Sequence, residues 1–310
     1  MRNLRIEFGV KPGINHIFIP VYVNGKGPYS FTLDTGAQKT TICSALVDEL
    51  GLETQEVIGE KYEHLKERRN LKQVEASLSV GTEELISDEV WAMDLVFSTE
   101  VKGKKIIQSS ESNGKEVKGV AQPAIRRIIK TTKSGERVIE PTRGVIGYST
   151  LKNYFLSVNY RTKILQLEKN STGFTHNNQE QLQKFEYIGN THLVGIPVTI
   201  NGDGPFPFVL DTGAGGTAIS KKLHEKMDLR LSDIVVKAVG VHGAQETRMA
   251  IINQMTVSSR TYENVSAVII DESIIGPRAA NEIENGVLGY NIFQNRELII
   301  DYINQTCAII

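Results

Sequence analysis

The apolar positions of this chain come in short, β-rich runs separated by polar turns. Ile17-Phe18-Ile19-Pro20-Val21-Tyr22-Val23 stops at Asn24-Gly25, a dipeptide suited to the positive φ angles of a two-residue hairpin turn. The pattern predicts a strand, a turn and a returning strand from Tyr29 to Leu33. It recurs as Val194 to Ile200, Asn201-Gly202 and Phe206 to Leu210. Ser44 to Leu50 and Ser220 to Met227 read as short helices, with Ser44 and Ser220 as candidate N-caps. Val268-Ile269-Ile270, Glu297 to Tyr302 and Cys307 to Ile310 read as core strands. The expected fold class is all-β with few short helices.

The two hairpins belong to a long internal repeat. A shift of 177 residues lays Gly13 to Leu52 over Asn190 to Leu229 without a gap. A second block repeats at a shift of 142, where Gly144-Val145-Ile146-Gly147-Tyr148 matches Gly286-Val287-Leu288-Gly289-Tyr290. The first half therefore carries 35 extra residues between its blocks. A long unit present twice indicates a duplicated domain, since a solenoid stacks many short ones. The expected division is a first lobe over 1–168, a polar linker over 169–184 and a second lobe over 185–310.

Composition narrows the field. With 310 residues, the chain is long enough for two cores. A net charge of −1 gives no reason to expect a nucleic-acid partner. No apolar run approaches the ~20 residues of a membrane helix, and Met1 to Arg5 lacks the apolar stretch of a secretory signal. The compartment stays open: cytoplasmic by default, exported if a signal was removed. The six histidines show no metal-ligand spacing, so neither metal nor cofactor is expected. Cys43 and Cys307 stand in apolar surroundings and read as free thiols.

The chemistry lies where each returning strand ends. Phe31-Thr32-Leu33-Asp34-Thr35-Gly36-Ala37 is matched by Phe208-Val209-Leu210-Asp211-Thr212-Gly213-Ala214. Gly36 and Gly213 permit a sharp turn that brings backbone amides to the carboxylate. Thr35 and Thr212 can bond backbone across the junction of two such loops. Two carboxylates about 3 Å apart cannot both ionise comfortably, so the pair holds one proton. The ionised member acts as base on a shared water while the protonated one donates to a carbonyl.

These residues resemble those of retropepsin-like and pepsin-like aspartic peptidases, here as a tandem, single-chain, bacterial-style form. The resemblance covers both halves: each has apolar-apolar-Asp-Thr-Gly-Ala, then Val145-Ile146-Gly147 or Val287-Leu288-Gly289. It implies a bilobal acid-protease fold with pseudo-two-fold symmetry. It implies an Asp34/Asp211 dyad braced by Thr35 and Thr212, with the downstream glycine element threading behind each Asp loop. The implied activity is endopeptidase cleavage of extended peptide or protein substrates. The acidic–Arg pair that helps retroviral members dimerise is missing, because Gln38-Lys39 and Gly215-Gly216 follow the motifs and Tyr148 and Tyr290 stand where Arg is usual. That absence fits a monomer, in which the two units are already joined.

Flap candidates differ between the halves. In the second they are Gly240, His242 and Gly243; in the first, Tyr62 and His64, near a charged turn at Lys66 to Asn70. The basic insertion at about 98–143 holds 11 Lys/Arg against 5 Glu. It reads as a lid, a self-cleavage site, a docking surface for an acidic partner, or a solvated loop. A catalytically silent peptide-binding or assembly protein is the alternative to the peptidase.

Overall fold

The two Asn-Gly turns fix the register of the strands around them. Asn24 and Asn201 have φ of 48° and 51°, and Gly25 and Gly202 have 74° and 91°. Both turn residues are thus left-handed, as a two-residue turn between twisted strands requires. Ile17–Val23 pairs with Lys26–Leu33, and Val194–Ile200 with Asp203–Leu210, each shifting register once beside the turn. Asn24 and Asn201 also anchor the next hairpin of their own half. Their side-chain oxygens accept from the Ser77 N–H at 2.8 Å and the Gln254 N–H at 3.0 Å. This computed structural model describes residues 4–11, 15–59, 70–95, 129–131, 137–139, 142–169, 181–240, 244–271, 275 and 277–310.

The fold is all-β and two-lobed, and each half repeats one supersecondary plan. In the first, Thr40–Cys43 is followed by the helix Ser44–Leu50, and Val90–Met93 pairs with Thr40–Cys43 in parallel. In the second, Ala218–Ser220 is followed by the helix Lys221–Met227, and Arg260–Ile270 pairs in parallel. The offset of 177 still holds at Met93, opposite Cys43, and at Ile270, opposite Ser220. The 35 additional residues therefore enter after Met93. Most of the basic insertion at 98–143 lies outside the described residues, except a short hairpin of Ile129–Thr131 with Arg137–Ile139, the buried Thr142 and the half-buried Arg143.

Gly144–Ile146 runs parallel to Lys26–Leu33 and antiparallel to Thr40–Cys43, so it is inserted between them. Gly286–Leu288 does the same between Asp203–Leu210 and Ala218–Ser220. The chain then passes directly beneath the Asp-Thr-Gly loop. A Cβ on Gly147 would lie 2.6 Å from the Lys39 carbonyl oxygen, and one on Gly289 would lie 2.3 Å from that of Gly216. Any larger residue would push backbone from backbone.

A third sheet belongs to both halves. Its order is Leu4–Glu7, Ile164–Glu168, Phe155–Asn159, Glu297–Asp301, Thr306–Ile309 and Gln183–Lys184. The seam is the antiparallel pair Phe155–Asn159 and Glu297–Asp301. One hydrophobic core continues through the molecule, with Ile6, Leu33 and Leu156 joined to Leu210 and Ile300, all fully buried. Gln183–Lys184, within the segment expected as linker, is the outermost strand here; residues 170–180 lie outside the described set.

The expected caps divide. Ser220 caps its helix, accepting from the Leu223 N–H at 3.0 Å. Ser44 does not: Cys43 is the N-cap residue, without a side-chain bond, and the Ser44 hydroxyl is buried without a partner. Only the last residue before the helix can cap it. The shift of 177 sets Cys43, not Ser44, over Ser220.

Candidate active site

Asp34 and Asp211 are delivered by the same local construction. The Asp34 N–H donates to the Ile146 carbonyl at 3.0 Å and the Asp211 N–H to that of Leu288 at 3.1 Å. Beyond each loop, the N–H of Tyr148 reaches the Ala37 carbonyl at 2.8 Å, and that of Tyr290 reaches Ala214 at 3.1 Å. The downstream strand thus holds each Asp-Thr-Gly loop from behind at both ends.

The loops meet through their threonines. The Thr35 hydroxyl donates to the Leu210 carbonyl at 2.8 Å and accepts from the Thr212 N–H at 3.0 Å. The Thr212 hydroxyl donates to the Leu33 carbonyl at 2.9 Å and accepts from the Thr35 N–H at 3.1 Å. Both side chains are buried, where an unpaired polar group is costly. Four reciprocal bonds between the halves leave the loops little freedom.

This grip brings the carboxyl groups into hydrogen-bond reach of each other. Gly36 and Gly213 make the approach possible, since a Cβ on Gly36 would lie 2.8 Å from Asp211 Cγ, and one on Gly213 would lie 2.4 Å from Asp34 Cγ. Each loop's glycine faces the other loop's acid. Asp34 Oδ1 accepts from the Gly36 and Ala37 N–H groups, both at 2.9 Å. Asp211 Oδ1 accepts from the Gly213 N–H at 2.7 Å. Burial and the neighbouring Asp34 push the Asp211 carboxyl well above the usual carboxylate range, and the amides of Gly213 and Gly36 only partly offset this.

Each half bears one Asp-Thr-Gly loop, and a family model described as "Aspartyl protease" matches residues 19–112 and 196–292, more than half of the chain. The chain belongs to the aspartyl protease family. Comparison with curated proteins found no match. Among solved structures, the aspartic proteinase from Irpex lacteus is similar at a TM-score of 0.48 and 10% identity, over 99% of this chain and 97% of that one. Basic 7S globulin from soybean gives 0.48 and 8%, over 100% and 94%. Conglutin gamma from lupine seeds gives 0.44 and 10%, over 99% and 94%. Similarity of this degree speaks to neither activity nor ligand.

In this member of the family the tyrosines that stand where Arg is usual cross between the halves. Tyr148 meets Tyr302 edge-on, with ring centroids 5.7 Å apart, and Tyr290 meets Tyr160 likewise at 5.8 Å. The shift of 142 exchanges the two pairs. Such contacts contribute about 0.5–1.5 kcal/mol each beyond area burial, and here they occupy the seam that lacks the acidic–Arg pair.

A second reciprocal contact escaped the sequence reading. The Asn15 side-chain amide donates to the Gly215 carbonyl at 3.1 Å, and His192 Nε2 bonds the Gly36 carbonyl at 2.9 Å. Asn15 and His192 are equivalent under the shift of 177, and each reaches the opposite Asp loop. The gapless alignment from Gly13 contains this pair, but unlike side chains hide it.

Of the flap candidates, Gly240 follows the strand Arg230–Val239, whose partner begins at Ala244. Tyr62, His64, His242 and Gly243 lie outside the described residues. Among the described residues, no group of His, Cys, Asp or Glu is arranged to hold a metal, and no helix is long and apolar enough to cross a membrane.

Proposed function

We propose that this protein is an aspartic endopeptidase in which Asp34 and Asp211 together activate one water against a peptide carbonyl. The observation that carries this reading is the mutual approach of the two carboxyl groups, each flanked by the other loop's glycine and fixed by the crossed threonine bonds. Two acids held so closely keep one proton between them. The ionised acid takes a proton from the water as it attacks, and the protonated acid donates to the carbonyl oxygen as it becomes tetrahedral. The same pair then returns a proton to the leaving amine. Thr35, Gly36, Thr212 and Gly213 keep both acids in place, so little reorganisation is needed on reaction.

The substrate proposed is an extended stretch of peptide or protein, bound by strand-like hydrogen bonding. The active species proposed is a monomer. The test is incubation of the purified protein with a mixed peptide library, with and without pepstatin, alongside Asp34→Asn and Asp211→Asn. Pepstatin-sensitive cleavage lost in both variants is the expected result. Cleavage that survives either substitution, or an absence of cleavage from acid to neutral pH, would refute it.

A further inference from the structure

The two carboxylates do not face the same residue. Phe18 pairs with Thr32, and two residues further toward the site the same register sets His16 opposite Asp34. Gly195 pairs with Val209, which sets Leu193 opposite Asp211. The shift of 177 also carries His16 onto Leu193. Two halves that match closely at the acids therefore differ at this position by an imidazole against an isobutyl group. Leu193 is buried beside Val209 and Val287. His16 Nδ1 is buried with no hydrogen-bond partner among the described residues. The adjoining Asn15 is tied to Gly215 across the cleft, which keeps His16 at the junction of the loops.

The charged groups acting on this ring are Asp34, from the opposing loop, and Lys11, from the segment before it. Burial disfavours the imidazolium most, Asp34 favours it and Lys11 opposes it, so the ring titrates below the usual histidine value. It is therefore neutral near pH 7 and gains its charge only at lower pH than an ordinary histidine.

We propose that His16 is a positioning residue for the acid pair: in acid its cation holds Asp34 as the ionised member and leaves the shared proton with Asp211. The catalytic consequence rests on the peptidase reading; the electrostatic coupling does not. A cation beside the pair makes the first proton easier to lose, so the singly ionised state survives to lower pH. Near neutrality the ring is uncharged and leaves the loss of the second proton unchanged. His16 thus sets the acid limb of activity and not the alkaline one.

Two measurements test this. The first is the pH profile of kcat/KM for wild type, His16→Leu and His16→Gln. Both variants should move the acid limb up by about 1 pH unit or more, the scale of one nearby opposite charge, and leave the alkaline limb in place. An unmoved acid limb overturns the proposal. The second is the NMR titration of the His16 ring in wild type and Asp34→Asn, assigned by its loss in His16→Leu. The ring should titrate lower once the Asp34 charge is removed, and a titration indifferent to Asp34→Asn also overturns the proposal. If the wild type cleaves nothing, the peptidase reading falls, and the ring titration alone decides the coupling.

Discussion

Ser157 and Ile299 face each other across the seam of the shared sheet, and they are the one pair there that the repeat maps onto itself. Adding 142 to 157 gives 299, whereas Phe155–Asp301 becomes Glu297–Asn159. The pseudo-two-fold axis passes between these two residues. Seen along it, the crossed tyrosines, the crossed threonines and the two aspartates all form exchanged pairs. The site is therefore built on the symmetry of the duplication, and His16 against Leu193 is a departure from it.

The threonine bonds should be worth more to the assembled site than to either hairpin. Thr35→Val removes the donor to Leu210 and the acceptor for the Thr212 N–H, leaving two buried groups unpaired. A loss of about 2–4 kcal/mol is expected, and Thr35→Ser should restore most of it. Urea unfolding of both variants checks the difference; equal stability of Val and wild type would mean that the grip contributes nothing.

Gly213 and Gly216 should respond oppositely to alanine. A Cβ at Gly213 meets the Asp34 carboxyl at 2.4 Å, while at Gly216 the nearest atom is Asn291 Oδ1 at 3.9 Å. Gly213→Ala should lower kcat by about a hundredfold or more, the scale of an ångström of misplacement. Gly216→Ala should stay close to wild type. Kinetics on one peptide substrate decide it.

A single chain supplies both acids, so inactive chains should not rescue each other. Mixing Asp34→Asn with Asp211→Asn is expected to recover no cleavage. Activity approaching a quarter of wild type would require sites assembled between chains, and sedimentation of the mixture would then show dimers.

The raised carboxyl of Asp211 makes a prediction about stability. A proton held more tightly in the folded chain stabilises fully below the unfolded carboxylate value of about 4. That contribution is lost as pH rises through the higher folded value. Asp211→Asn removes this dependence. Between pH 4 and pH 7 the Tm of Asp211→Asn should therefore fall less, or rise more, than that of wild type. Parallel curves would mean that Asp211 is not perturbed.

Much of this was legible in the sequence because the duplication offers each motif twice. The hairpins at Asn24-Gly25 and Asn201-Gly202, both Asp loops and the strands behind them follow from local patterns that agree with each other. The strand Leu4–Glu7 and its counterpart Gln183–Lys184 were not legible. Ile6 and Gln183 are equivalent but unlike: both strands are outer strands of the shared sheet, yet Ile6 is fully buried in the core while Gln183 is only half-buried. The Asn15/His192 contact was hidden similarly, since an amide and an imidazole make the same bond. His16 was not readable by counting alone: a two-residue turn at Asn24-Gly25 places it opposite Leu33, and the register shift between Val21 and Val23 moves it opposite Asp34. The fate of Tyr148 and Tyr290 was not readable either, because their partners Tyr302 and Tyr160 come from the other half.

The shared sheet also orders the birth of the molecule. Asn159 leaves the ribosome long before Glu297, 138 residues later, arrives to pair with it. Until then the strand Phe155–Asn159 is an open edge, ready to pair with any other extended chain. Contacts so distant in sequence form late and slowly. A nascent or truncated chain that stops before Glu297 carries both acids and both threonines but lacks the sheet seam that joins the two halves. Under the peptidase reading, a chain in which Glu297–Asp301 has not yet paired with Phe155–Asn159 cuts less than the folded protein.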